Sequence, residues 1–171
     1  MKRVLFYFLL ILQALVLIAF SVLYEKIDKY GQTISIKTSE DFNRYHQYEQ
    51  GKNIYMEYEI NRIKEDRFSD VNVNEMERNE SVYVLLRGED GMFSVIKASD
   101  KKLESMSSNE VVLKGKFQHK DSMSKEIYVH YGMEKITNRG YDHLTNGPWL
   151  ITLKVAPWGQ KKIVSIENMN E

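Results

Sequence analysis

The stretch "GKNIYMEYEI", residues 51–60, decides the fold. Behind Gly51, the side chains of Ile54, Met56, Tyr58 and Ile60 alternate with Tyr55, Glu57 and Glu59. A period of two places the first set on one face of a strand. The run is either a reactive tyrosine surface or a strand with one face in a core. Aromatic residues at strand spacing are ordinary sheet formers, which favours the core. Tyr45, Tyr48 and Tyr55 could still form a local aromatic surface.

The same period recurs on both sides. "QTISIK" alternates over residues 32–37, and further strands are predicted at 81–87, 92–98, 110–117, 126–132, 149–156 and 161–166. About eight short antiparallel strands with polar connections predict an all-β domain, a sandwich or a barrel. "GEDG" at 88–91 and "APWG" at 156–159 supply the glycines and the proline that tight hairpins require. One short helix is expected within residues 38–51, with Thr38 or Ser39 as N-cap and Gly51 as stop. Residues 64–80, 118–125 and 133–148 read as polar connections.

Upstream lies "VLFYFLLILQALVLIAFSVLY", an uncharged run from Val4 through Tyr24 behind Lys2 and Arg3. As a helix its 21 residues cover about 31 Å, the thickness of a bilayer's hydrocarbon core. Lys2 and Arg3 predict a cytoplasmic N-terminus by the positive-inside rule, with residues 31–171 as an extracytoplasmic domain and 1–30 as stub and anchor. Ala19 and Ser21 would also suit signal-peptide cleavage after Ser21. The apolar run continues through Val22, Leu23 and Tyr24 without a break, which favours an uncleaved signal anchor. The helix is expected to run on until Gly31, in a left-handed conformation, closes it.

The formal charge is zero, with no basic tract, so nothing recommends nucleic acid as a partner. Cysteine is absent, which excludes disulfides, thiolate metal sites and cysteine nucleophiles.

A membrane helix leading into a strand, then glycine, four residues, an aliphatic side chain, one residue and tyrosine, resembles the GDYXXLXY family. The matching positions are Gly51, Met56 and Tyr58, with Lys52 and Asn53 where the family has aspartate and tyrosine. Tyr131-Gly132-Met133-Glu134 resembles the family's later "YGIE"-like segment, and Gly159 its last hairpin turn. The resemblance implies a membrane-anchored bacterial protein, in many genomes encoded beside multi-pass membrane proteins, and carries no activity with it. It also implies that Tyr58 packs inward with Met56 while its hydroxyl finds a partner at the edge of the core.

Catalytic readings are thin. Ser35 and Ser39 follow the membrane helix, and Lys97, Lys114 and Lys154 lie on strands, but a serine needs an adjacent base of lowered pKa. His46 and Glu49 share a helix face as a two-ligand edge, to which His119, His130 or His143 would have to add a third ligand. No spacing recommends one, so no catalytic, cofactor or metal residue is assigned. Two functions remain: a non-enzymatic interaction or accessory module for an envelope or multi-pass membrane protein, and a binding domain for wall polymer or small ligands using exposed aromatics. Trp158, Trp149 and Tyr55 are the candidate interaction residues, and the first function is preferred because the tryptophans are separated by a turn and by alternation.

Overall fold

The computed structural model describes residues 2–39, 53–69, 71–137 and 148–169. Helix α1 spans Lys2–Tyr30. Ten strands follow among the described residues: β1 Gln32–Lys37, β2 Asn53–Tyr55, β3 Arg62–Lys64, β4 Ser81–Glu89, β5 Met92–Ser99, β6 Glu110–Asp121, β7 Glu126–His130, β8 Lys135–Thr137, β9 Trp149–Val155 and β10 Lys161–Asn168. They form a five-stranded sheet in the order β3-β7-β6-β4-β5, a three-stranded sheet β1-β9-β10, and a β2-β8 pair. Every ladder is antiparallel.

Alternation explains the two layers. In β9, Trp149, Ile151, Leu153 and Val155 are buried while Leu150, Thr152 and Lys154 are not. With Ile34 and Ile36 of β1 they meet Val82, Val84 and Leu86 of β4, Leu113 of β6, and Ile127 and Val129 of β7 in one core. The all-β expectation therefore holds as a sandwich of two sheets around shared apolar faces. The two anticipated hairpins form. Asp90 and Gly91, at φ 50° and 83°, make the two-residue turn between β4 and β5, as a type I′ hairpin requires. In the β9–β10 turn the Gly159 N–H donates to the Ala156 carbonyl at 2.8 Å, with Gly159 at φ 91°.

Several boundaries differ from the sequence reading. The strand expected through Ile60 stops at Tyr55. Met56, Tyr58 and Ile60 keep their inward faces, but Tyr58 holds only an isolated bridge to Thr38, and residues 59–61 form a 3-10 turn. The cause is Asn61, whose side-chain oxygen accepts the Tyr58 N–H at 2.6 Å and withdraws it from any ladder. β6 continues to Asp121 through a bulge between Phe117 and His119, so residues 118–121 are strand rather than connection. β8 lies in the expected connection 133–148, and β7 ends at His130 before Gly132 turns at φ 76°.

Gly31 ends α1 without the left-handed conformation, since its φ is not among the positive values. A Cβ there would stand 2.4 Å from the Ile27 carbonyl oxygen and 3.3 Å from the Lys154 Cβ, so close approach is what needs glycine. The expected helix over 38–51 lies outside the described residues, as do Gly51, Tyr45, Tyr48, His46, Glu49 and His143. Thr38 does not spend its hydroxyl on a cap, because Oγ1 accepts the Trp149 N–H at 2.8 Å.

Candidate functional site

The two segments that carried the resemblance meet inside the sandwich. Tyr58 is fully buried and its hydroxyl donates to the Met133 carbonyl at 2.9 Å. Tyr131, 4% exposed, donates from its hydroxyl to the Ile60 carbonyl at 2.8 Å. Each segment thus lends a tyrosine to the other's backbone.

Between them sits Glu134, 5% exposed. Its carboxylate accepts the Tyr131 and Met133 N–H groups, the latter at 2.9 Å, and the Asn61 side-chain amide at 2.9 Å. His130 Nε2 lies 3.0 Å from Oε2 of the same group. All these contacts suit an acceptor-only carboxylate. Asn61 completes itself on the Val129 carbonyl at 2.6 Å, and the Glu134 carbonyl takes the Met56 N–H at 2.6 Å. Gly132 makes this loop possible: its φ of 76° lets the chain fold back so that Glu134 can cap the N–H groups before it.

The electrostatics answer the tyrosine question. Burial, and secondarily the Glu134 charge, raise the pKa of both Tyr58 and Tyr131 well above the usual tyrosine value. Both remain neutral donors at physiological pH, so neither is an activated phenolate. Lys161 is a partly buried lysine that sequence reasoning missed. Desolvation lowers its pKa, the Glu134 charge opposes the shift, and its ammonium donates to the Tyr131 carbonyl at 2.7 Å and the Lys114 carbonyl at 3.0 Å. It is committed to the backbone rather than to a hydroxyl.

Beside this network opens a groove of about 410 Å³, lined in part by Tyr55, Arg78, His119, Tyr128 and His130. His119 stacks on Tyr128 with centroids 4.4 Å apart, and the Arg62 guanidinium lies 5.7 Å from the Tyr128 centroid while bonding Glu57 at 2.6 Å. Tyr55 is 42% exposed with the Lys135 ammonium 5.9 Å from its ring. Among the described residues its lining contains no serine, threonine, cysteine or lysine. It offers aromatic faces and imidazoles for contact.

The remaining sequence candidates are scattered. Ser35 pairs with Thr152 at 3.3 Å on the outer face of the three-stranded sheet, and Ser39 is buried with its N–H on the Glu57 carbonyl. Lys97 and Lys114 are exposed, and Lys154 donates to the Asp28 carbonyl at 2.6 Å. Among the described residues no three of His, Asp and Glu converge as a metal site. Trp149, expected among exposed aromatics, is 3% exposed, because it occupies an inward position at the start of β9. Trp158 is 44% exposed at its hairpin tip, where its indole N–H donates to Gln160 at 2.8 Å.

Asn61 escaped sequence reasoning, and Glu134 stood in the YGIE-like segment without a role, because alternation treats polar residues as outward. The available signal was their position, three residues after Tyr58 and three after Tyr131, each with a side-chain oxygen able to accept from a backbone N–H just upstream.

No curated protein and no solved structure matches the chain. The family model of the GDYXXLXY proteins matches residues 13–166, which include part of α1 and nearly all of the sandwich. The chain belongs to the GDYXXLXY family.

Proposed function

We propose that this chain is a membrane-tethered, non-enzymatic interaction module, whose sandwich stands on the extracytoplasmic side and serves a multi-pass or other envelope protein in the same membrane. Residues 6–30 form a helix apolar and long enough to cross a bilayer, with a mean hydropathy of 2.6 over its most apolar 18 residues, none of which the domain covers. Lys2 and Arg3 at its start favour a cytoplasmic N-terminus.

The observation that carries the reading is the absence of a linker. Only Gly31 separates α1 from β1. Ile27 is 2% exposed, and the Asp28 carboxylate meets Lys162 at 2.7 Å and Lys154 at 3.8 Å. A domain that searched the wall for polymer would gain from a flexible tether. This one is docked on its own helix, which suits a partner held at fixed height in the same bilayer. The burial of Trp149 also removes one of the two tryptophans that polymer binding would use.

Affinity capture of the tagged full-length chain from detergent-solubilised membranes tests the proposal. One stoichiometric membrane protein is expected. Recovery of wall fragments with no protein would overturn it.

A further inference from the structure

We infer that the β9–β10 hairpin rests in the lipid headgroup layer at the C-terminal end of α1, with Trp158 as its anchor, so that the domain lies on the bilayer as well as being tied to it. The inference rests on reading α1 as a transmembrane helix. The uncharged run ends at Tyr24, and residues 25–30 add about 9 Å of helix, close to the depth of one headgroup layer. Those turns are where the domain touches the helix, and the sheet residues that bond there, Lys154 and Lys162, belong to β9 and β10.

Lys162 fixes the depth. Its ammonium stands 4.8 Å from the ring of Tyr24, the last residue of the uncharged run, while it pairs with Asp28. Trp158 is four residues from Lys162, so its backbone lies within about 14 Å of it even for a fully extended chain. Val164, two residues to the other side, is 52% exposed where the β10 ladder shifts register. Tyr24 and Tyr30, which bracket those last turns of the helix, are 55% and 54% exposed. Tryptophan and tyrosine with a lysine at the border of an apolar span is the composition of a membrane–water interface, where an indole has both an apolar body and a polar N–H to satisfy. The bond to Gln160 leaves the indole ring faces for the lipid.

The opposite end of the molecule supplies a control. Glu110 lines a cleft with Tyr30, and β6 runs from there to Asp121, about 36 Å along the strand. Met123, just beyond, is 96% exposed at the other end of that strand from α1.

Because the chain has no cysteine, Trp158→Cys and Met123→Cys each accept a single nitroxide label. The full-length variants are placed in phosphatidylcholine vesicles, and label accessibility to oxygen and to a water-soluble nickel chelate is compared by power saturation. The expected result is a shift toward oxygen and away from nickel at 158 relative to 123, abolished when the vesicles are dissolved in detergent. Val164→Cys, on the same hairpin but with Trp158 intact, should shift in the same direction, which separates the contact from any effect of replacing the indole. Equal nickel access at 158, 164 and 123 in protein that stays with the vesicles through carbonate would overturn the hairpin contact and leave the anchor standing. Release of the protein by carbonate would overturn both.

Discussion

Replacing Tyr58 by phenylalanine removes one oxygen atom and leaves the Met133 carbonyl buried without its donor. The cost should be about 1–3 kcal/mol in urea unfolding followed in detergent, the penalty for an unsatisfied buried acceptor. Tyr55→Phe, at a half-exposed ring whose hydroxyl has no such duty, should stay within about 0.5 kcal/mol. If the two variants unfold alike, the clamp between the motif segments contributes nothing. Glu134→Gln should cost more, about 3 kcal/mol, because an amide N–H₂ would face donors that now converge on a charge. Acid should loosen the fold for a separate reason. Arg87 donates to Glu110 from Nη2 at 2.8 Å and, with the Met106 N–H, lowers the Glu110 pKa below its ordinary value of 4.5. Between the lowered folded value and 4.5 the unfolded chain binds more protons, so stability is present above 4.5 and declines as pH falls through that window. Arg87→Ala should flatten this decline in unfolding midpoints taken from pH 7 to pH 3. An unchanged slope would assign the acid sensitivity elsewhere.

At the scale of elements, β6 and β7 approach closely at Gly115. A Cβ there would meet the Val129 Cγ1 at 2.4 Å and the Tyr131 ring at 3.2 Å, both in the core. Gly115→Ala should therefore destabilise by about 1–3 kcal/mol through overpacking, although alanine is otherwise the better strand residue. A neutral result would show that Tyr131 can move without losing its bond to Ile60. The same region marks what the sequence disclosed. Strong alternation in 32–37, 81–87 and 149–156 located β1, β4 and β9, because one face of each is continuously buried and a one-residue slip would expose it. β3 and β8, of three residues each, are too short to show a period, and their place is set by partners β7 and β2 far along the chain. The candidate site was half legible. Tyr58, Tyr131 and Gly132 stood out by motif, but their joint role depends on Asn61 and Glu134, whose burial is a property of the folded loop rather than of local pattern. Trp149 and Trp158 looked alike as residues and differ because one starts an inward-facing strand position and the other occupies a turn.

For the whole molecule, the direct passage from α1 through Gly31 into β1 makes helix and sandwich one body, and the proposed function depends on that coupling. Asp28→Asn should weaken the hold of Lys154 and Lys162 on the helix and raise the mobility of a nitroxide at position 158 without lowering the unfolding midpoint of the sandwich. The most direct measurement inserts a ten-residue Gly-Ser segment, about 17 Å in root-mean-square span, between Tyr30 and Gly31 and repeats the affinity capture from solubilised membranes. The variant should stay in the membrane, unfold at the same temperature as the unaltered chain, and lose most of its stoichiometric membrane partner. Full recovery of that partner by the lengthened chain would contradict the account.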